Sequence, residues 1–358
     1  MNNRKKSIIN CVIAALLMAF SFSACGDDSK TPPTPKPPVN DSTTTVVDTT
    51  DFAKGADVSW LTQMENEGCL FYDSSGKQTE CMTLLHNLGM NSIRLRVWVN
   101  PANGWCNKSD VLIKAQRANN LGMRLMLDFH YSDSWADPSK QIKPAAWANL
   151  SFESLKIAVS AHTEDVLTVL KDNGITPEWV QTGNETGDGM LWEDGRASTN
   201  MKNYAALNNA GYDAVKAIFP DTKVIVHLQD GNNNSLYRWL FDGLKSNGGK
   251  WDVIGMSLYP GATTWGTMNT QCLANINDMI SRYGSEVMIC EVGMPWDQPA
   301  TCKSFLADLI TKTKAVPHNK CLGVFYWEPE GYVKWSNYTL SAFDNTGRPT
   351  AALDAFKE

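Results

Sequence analysis

Short apolar runs alternate with longer amphipathic stretches along residues 52–358. The runs have the length and the Val, Ile, Leu and Met content of buried strands at Lys54–Ser59, Ser92–Val97, Arg124–Phe129, Glu178–Thr182, Lys223–Leu228, Val253–Leu258, Glu286–Glu291 and Leu322–Trp327. Between them, apolar residues recur at helical spacing, as in the stretch after the capping candidate Ser109. Eight strands, each followed by a helix, predict an α/β fold in which one domain forms a (β/α)8 TIM barrel. A doubly wound sheet is the alternative, but the sequence lacks the GxGxxG and GxxxxGK[ST] phosphate loops.

The first 51 residues do not have the pattern of a fold. Arg4, Lys5 and Lys6 precede an apolar run, Ile8–Phe22, that is too short to span a bilayer and typical of a signal peptide. We therefore expect a lipoprotein signal peptide at residues 1–24, with Cys25 as the lipidated first residue of the mature chain. Residues 25–51 are acidic at first and then rich in Pro and Thr, which predicts an extended linker. Together these segments indicate an outer-membrane lipoprotein that is exposed at the cell surface.

Composition narrows the range of partners. The net charge of −6 argues against nucleic acid, because phosphate binding requires a basic face. It also argues against docking on an anionic membrane, so we expect membrane attachment only through the lipid. All 13 Trp follow residue 51, and flat apolar ligands provide a use for so many rings.

The cysteines leave their pairing open. Seven remain after Cys11 and Cys25, so an odd number is available to an exported domain. A disulfide among Cys69, Cys81 and Cys106 is one alternative. No CxxC motif or Cys/His ligand spacing is present, and we expect neither a metal nor another cofactor.

Polar and aromatic residues stand at the predicted carboxyl ends of the strands, where a barrel builds its active site. They are Asp57, Arg96, Trp98, His130, Asn184, Glu185, His227, Asp230, Tyr259, Glu291, Trp327 and Glu328. Each alone is compatible with a structural role, such as a helix cap or a salt bridge. The set is more informative, because one face of a barrel would receive all of its members.

Glu185 and Glu291 are the most informative of these residues. Glu291 directly ends an apolar strand, and Glu185 follows one through Gly183-Asn184; at such a position a charge is costly unless it has a partner or a task. Two carboxyls facing one cleft can divide the work of glycoside hydrolysis, one as acid and one as nucleophile. We expect Arg96 to hold Glu291 ionised and Tyr259 to donate a hydrogen bond to it. A structural salt-bridge network at the barrel mouth is the alternative interpretation.

Several stretches resemble glycoside hydrolase family 53, the endo-β-1,4-galactanases. They are GADVS at 55–59, IRLRVWVNP at 93–101, DFHYSDSWADP at 128–138, GNE at 183–185, SLYP at 257–260, EVG at 291–293 and GVFYWEP at 323–329. The DFHYSDSWADP and YWEP stretches are specific to this family, whereas the Asn-Glu pair is shared by a larger clan of retaining glycosidases.

The resemblance implies a role for each matching residue. Glu185 would be the acid/base and Glu291 the nucleophile of a retaining endo-hydrolase of galactan, including type I arabinogalactan of pectin. Asn184 would bind the sugar 2-hydroxyl, and Arg96, His130, Tyr259 and Trp327 would line the same subsite. Further substrate-binding candidates are Asp57, Trp98, Trp135, Asp230 and Trp296.

Two other functions remain open from the sequence. A barrel glycosidase acting on mannan or xylan would share the clan-wide residues. A tethered surface protein that captures glycans without cutting them would share the lipid and the Trp content, but it has no need for two strand-end carboxyls. We expect a monomer whose partner is a polysaccharide.

Overall fold

The computed structural model describes residues 52–332 and 335–357. Its strands are β1 (Ala53–Asp57), β2 (Ser92–Val97), β3 (Arg124–Phe129), β4 (Trp179–Thr182), β5 (Lys223–Leu228), β6 (Val253–Leu258), β7 (Glu286–Val292) and β8 (Cys321–Trp327). Its helices are α1 (Leu61–Asn66), α2 (Cys81–Asn87), α3 (Lys108–Asn120), α4 (Phe152–Asp172), α5 (Ala197–Ile218), α6 (Asn234–Ser246), α7 (Trp265–Tyr283) and α8 (Pro299–Lys314), with 3-10 turns at Ala145–Trp147, Pro317–Asn319 and Ala351–Phe356. The predicted signal peptide (1–24), Cys25 and the linker (25–51) lie outside the described residues.

The eight strands form a closed parallel barrel in chain order, and β8 pairs with β1 to complete it. The (β/α)8 prediction is confirmed. Within residues 52–332 and 335–357, no helix has both the length and the hydropathy needed to cross a bilayer.

Local chemistry explains where the helices begin and end. The side chain of Asn107 caps α3 by accepting a hydrogen bond from the Asp110 N–H, so the prediction of Ser109 as the cap is wrong. Asn107 acts as the cap because its backbone is extended just before the helix, whereas Ser109 already lies inside the helix. At the other end of a helix, Gly284 stops α7 in the left-handed region at φ 71°.

An apolar layer fills the barrel interior towards the amino-terminal ends of the strands. It consists of Ala53, Met126, Trp179, Ile225, Val253, Met288, Cys290 and Phe325, all buried. Trp179 and Phe325 meet edge to face at 6.1 Å. Gly55 makes room for Phe325, because a Cβ there would lie 2.2 Å from the ring. Since side chains alternate along a strand, the next inward residues stand one layer closer to the carboxyl ends.

A bulge in β7 sets the direction of Glu291. Met256 pairs with Ile289 and Ser257 pairs with Glu291, so Cys290 is an extra residue in β7. Met288 and Cys290 both belong to the inner layer, and strict alternation would turn Glu291 outward. The extra residue shifts that phase and places Glu291 opposite the inward-facing Ser257.

Candidate active site

Arg94 gathers three carboxylates above the apolar layer. Its guanidinium lies 2.6 Å from Asp57 Oδ2, 2.9 Å from Asp128 Oδ2 and 2.8 Å from Glu291 Oε1. Its Nε also donates to Gln181 Oε1 at 2.7 Å. All five residues are buried. A buried charge is tolerated only when opposite charges and hydrogen bonds surround it, so this network fixes both the charge and the position of Glu291.

Glu291 has a partner on each carboxyl oxygen. Arg94 contacts Oε1, and the Tyr259 hydroxyl donates to Oε2 at 2.7 Å. Burial raises the pKa of Glu291, while Arg94 and the Tyr259 hydrogen bond oppose that rise, and the resulting pKa is about 6. Glu291 is therefore mainly ionised at neutral pH, as a nucleophile must be. The predicted hydrogen bond from Tyr259 is confirmed.

Arg96 is not the cation beside Glu291, and that prediction is wrong. Its Nη1 donates to Glu328 Oε1 at 3.0 Å. Its guanidinium carbon lies 4.2 Å from the centroid of the Trp135 ring and 4.9 Å from that of Trp98. Arg96 is two residues beyond Arg94, so it faces the same way but stands higher, among aromatic rings. Direct contact of Arg96 with substrate stays a prediction.

Glu185 follows β4 in an uncommon backbone conformation. Its φ is 45°, in the left-handed region that residues with a Cβ seldom occupy, and such strain is concentrated at functional sites. Burial, and then the charge of Glu291, raise the pKa of Glu185 to about 8, against a hydrogen bond from Ser257. Glu185 is therefore protonated at neutral pH while Glu291 is ionised. The two carboxyls interact electrostatically across the barrel mouth, with pKa values ordered as an acid and a nucleophile require.

Asn184 is held by hydrogen bonds on both ends of its amide. Its Nδ2 donates to the Ala136 carbonyl at 2.8 Å, and its Oδ1 accepts from Arg94 Nη2 at 3.1 Å. His227 Nδ1 lies 3.1 Å from the same oxygen, and Gln141 Nε2 donates to the Asn184 backbone carbonyl at 2.9 Å. These contacts leave one orientation for the amide next to Glu185.

His130 is a neutral histidine with an assignable tautomer. Its Nδ1 accepts from the Ala136 N–H at 3.1 Å and from Trp98 Nε1 at 3.3 Å. The ring proton is therefore on Nε2, which donates to Asp128 Oδ2 at 3.0 Å. Burial lowers the pKa of His130, although the charge of Asp128 opposes this effect, and the ring is therefore uncharged at neutral pH.

Five aromatic rings from four segments form what we call the aromatic wall: Trp60, Trp98, Trp135, Trp327 and Tyr338. Trp60 is 5.3 Å from both Trp327 and Tyr338 between ring centroids, and Trp98 is 5.2 Å from Trp135. A groove of about 540 Å³ runs along Trp60, Trp98, Trp135 and Tyr338. Flat apolar faces beside a cleft suit the C–H faces of sugars. The structure thus brings together the predicted Trp98, Trp135 and Trp327.

The remaining predicted binding residues occupy different environments. Asp57 has no exposed surface and is engaged by Arg94 and Ser59. Asp230 is exposed in the loop after β5. Trp296 is partly exposed, and its backbone N–H donates to the carbonyl of Thr339, the residue after Tyr338. Contact of these three with substrate stays a prediction.

Several contributors were missed at the level of sequence. Arg94, Asp128 and Gln181 lie within strands rather than at their ends, so a search of strand ends passes over them. Alternation was the available signal, since Arg94 is two residues before Arg96 and Asp128 is two before His130. The seven cysteines of the described residues are all free, so Cys69, Cys81 and Cys106 form no disulfide.

A parallel barrel with an acid and an ionised carboxyl at its carboxyl end defines a class, the (β/α)8 glycoside hydrolases. The model of glycosyl hydrolase family 53 matches residues 53–356, and the chain belongs to that family. An arabinogalactan endo-β-1,4-galactanase of Cellvibrio japonicus is 33% identical over 353 residues, covering 87% of this chain and 92% of its own.

Solved structures agree with the family assignment. The GH53 catalytic domain of Ignisphaera aggregans superposes with a TM-score of 0.78 at 31% identity, covering 86% of this chain and 95% of its own. A structure from a study of two fungal β-1,4-galactanases gives a TM-score of 0.79 at 26% identity, covering 86% of this chain and 99% of its own.

Proposed function

We propose that the protein is an endo-β-1,4-galactanase that hydrolyses galactan and type I arabinogalactan with retention of anomeric configuration. The observation that carries this proposal is the pair Glu185 and Glu291, whose pKa values of about 8 and about 6 make one an acid and the other a nucleophile at neutral pH. The substrate class follows the named activity of relatives such as the Cellvibrio japonicus galactanase.

Hydrolysis proceeds in two displacements. Glu291 attacks the anomeric carbon while the Glu185 proton passes to the leaving glycosidic oxygen, which gives a covalent glycosyl-enzyme. Glu185, now ionised, then takes a proton from water as that water displaces Glu291. Arg94 and Tyr259 stabilise the Glu291 carboxylate as it departs in the second displacement.

The fixed polar groups around the pair orient the sugar. Asn184 is held by Arg94 and by the Ala136 carbonyl, so its amide can be presented to the 2-hydroxyl without a loss of side-chain freedom. Neutral His130 adds a polar surface without adding a charge that would compete with Arg94 for Glu291. Trp327, at the end of β8, provides the floor of the subsite.

Product stereochemistry and two substitutions test the mechanism. We expect Glu291→Gln to lower kcat by about 10³-fold or more, because no other group can form the covalent bond. Glu185→Ala should cut galactan slowly but retain the first step on an aryl galactobioside, whose leaving group needs no proton. Added azide should then displace Glu291 from the galactobiosyl-enzyme and give a β-galactobiosyl azide. Unchanged galactan cleavage by Glu291→Gln contradicts the assignment.

A polysaccharide panel separates the proposed substrate from its rivals. We expect reducing-sugar release from linear β-1,4-galactan and not from mannan or xylan, with mid-length oligosaccharides appearing early. Binding to galactan without any release supports a capture protein instead. Faster release from mannan or xylan supports another barrel glycosidase.

We further propose that the enzyme is a monomer tethered by lipid at Cys25 to the outer membrane, facing outward. The charged and apolar regions of residues 1–24 and the Pro/Thr-rich linker support this proposal. Labelling of the protein by a fatty-acid probe, lost in Cys25→Ala, tests the anchor. Protease accessibility in intact cells tests the orientation, and light scattering tests the monomer.

A further inference from the structure

A second pair of carboxyls, Glu328 and Glu330, follows β8 behind the aromatic wall. Both side chains have no exposed surface. Glu328 Oε1 accepts from Arg96 Nη1 at 3.0 Å, and its Oε2 accepts from the Trp60 N–H at 3.1 Å. Glu328 thus has a cation and a backbone donor, which are the partners that a buried carboxylate requires.

Glu330 has no such partners. Within the described part of the chain, neither of its carboxyl oxygens receives a hydrogen bond of good geometry from another residue. The carboxyl of Glu328 is the group that its side chain meets. Two carboxylates cannot hydrogen-bond to each other, whereas a carboxylic acid can donate to a carboxylate. The proton of the pair therefore lies on Glu330.

The charged and titratable groups around Glu330 favour the same state. Burial and then the charge of Glu328 raise the pKa of Glu330 well above its ordinary value, and Asp57 on β1 adds to the effect. The other titratable neighbours are the Cys81 thiol on α2 and the Tyr338 hydroxyl, and both are neutral groups whose pKa values burial raises. The nearby cation, Arg96 on β2, is already paired with Glu328.

Glu328 links this proton to the groove. It holds Arg96, whose guanidinium lies over the rings of Trp135 and Trp98 at 4.2 and 4.9 Å. It also holds the backbone of Trp60, which contacts Trp327 edge to face. Three members of the aromatic wall therefore depend on the position of one carboxylate, and a donor on Glu330 restrains that carboxylate from behind.

We propose that Glu330 is a positioning residue for substrate binding, whose carboxylic proton, donated to Glu328, keeps Arg96 and the aromatic wall in place along the groove for sugars beyond the scissile bond. This inference rests on the proposed function for its substrate. It assigns no chemical step to Glu330, because the residue acts through Glu328 and does not touch the reacting atoms.

Two substitutions of similar volume separate the donor from mere packing. Glu330→Gln keeps a donor and cannot ionise, so KM for galactan should stay within about twofold of the wild-type value. Glu330→Met fills the space without a donor, and KM should rise about fivefold, the effect of one lost hydrogen bond, while kcat changes less than about twofold. Equal KM values for the two variants, both folded by circular dichroism, overturn the proposal.

The pH dependence of KM provides a second readout. As pH rises, ionisation of wild-type Glu330 places a second negative charge beside Glu328, so KM should increase on the alkaline side. On the alkaline side, where Glu328 with its pKa of about 7 is already ionised, Glu330→Gln should show a flat KM while keeping the alkaline fall of kcat, which belongs to Glu185. An alkaline increase of KM in Glu330→Gln equal to that of the wild type contradicts the proposal.

An infrared measurement tests the proton without any galactan. At neutral pH, the difference spectrum between wild type and Glu330→Gln should contain the C=O stretch of a protonated carboxyl, whereas Glu153→Gln, an exposed control, should not remove such a band. Absence of the band from the difference between wild type and Glu330→Gln overturns the proposal, because protonated Glu185 contributes equally to both spectra and cancels. If the band is present but galactan is not cut, the proposed function fails while the protonation of Glu330 stands.

Discussion

At the scale of single residues, the charge of Arg94 decides how the site titrates. The guanidinium is surrounded by Asp57, Asp128 and Glu291, and burial alone would raise the pKa values of Asp128 and Glu291. Asp128 illustrates the balance, because Arg94 and then His130 overcome the effect of burial and lower its pKa to about 2. Arg94 therefore offsets the cost of burying Asp128 and Glu291 in their ionised forms.

Removal of this cation should shift the pH profile of catalysis. Because Glu291 acts as a carboxylate, activity is lost as pH falls through its pKa of about 6. Arg94→Gln should raise that pKa, move the acidic limb of kcat/KM to higher pH, and lower kcat/KM by about 100-fold. The free energy of unfolding should fall by about 3–5 kcal/mol, since buried carboxylates lose their partner.

Two other arginine variants complete that experiment. Arg94→Lys keeps the charge without the planar fork, so the acidic limb should return toward the wild-type position while the rate stays low. Arg282→Gln, which breaks an exposed pair with Asp242, should change neither the position of the acidic limb nor the rate appreciably. An unmoved acidic limb in Arg94→Gln shows that Arg94 does not set the pKa of the nucleophile.

At the scale of elements, strand ends were easy to predict and strand pairing was not. The apolar runs of β2, β3, β5 and β6 give way to polar or aromatic residues at their carboxyl ends, and the ends of all four strands were predicted to the residue. The bulge at Cys290 depends on how β7 pairs with β6, which no run of letters reveals. Strict alternation would have turned Glu291 away from the cleft, although its place at the strand end was the reason it was predicted as the nucleophile.

Loops were predictable only where a motif identified them. Trp98, Trp135 and Trp327 lie in motif stretches and were expected near the site. Trp60 and Tyr338 were not, because they lie in loops whose proximity arises from the pairing of β1 with β8. Their 5.3 Å contact joins residues that are remote in the chain.

The aromatic wall should contribute to binding rather than to chemistry. Trp135→Ala removes a ring that borders the groove and lies against Trp60, Trp98 and Trp327. KM for long galactan should rise about three- to tenfold with little change in kcat, as expected for one stacking contact.

A tryptophan on the outside of the barrel is the matched control. Trp239, on α6, is 43% exposed and is not among the residues that line the groove. Trp239→Ala should leave KM unchanged. If Trp135→Ala and Trp239→Ala have the same KM, the groove does not bind the polysaccharide.

At the scale of the whole molecule, barrel closure concentrates buried carboxyls at one end of the fold. Alternation and helix spacing predicted the closed barrel, because eight strands with helical returns have few other arrangements. The electrostatic result could not be predicted, since it depends on burial and on distances between strands. Glu185, Glu291, Glu328 and Glu330 all have pKa values raised first by burial. Assembly of the site therefore lowers the free energy of unfolding of the protein.

This cost in stability should appear as a pH-dependent gain in stability when an active-site carboxyl is neutralised. The pKa of Glu185 is about 8 in the folded protein, above its ordinary value of 4.5. A raised carboxyl pKa means that folding favours the protonated form, so stability is full below pH 4.5 and is lost as pH rises toward about 8.

Glu185→Gln removes this pH-dependent loss of stability. Its Tm should equal that of the wild type below pH 4.5 and exceed it by a few degrees near pH 8. The corresponding gain in the free energy of unfolding is about 1–2 kcal/mol, because solvent screens a partly exposed group. Thermal melts across that range measure the difference, with Glu153→Gln, whose side chain is 77% exposed, as the control with a flat difference. A Tm difference for Glu185→Gln that does not grow with pH implies that Glu185 ionises normally, and then it cannot serve as the acid at neutral pH.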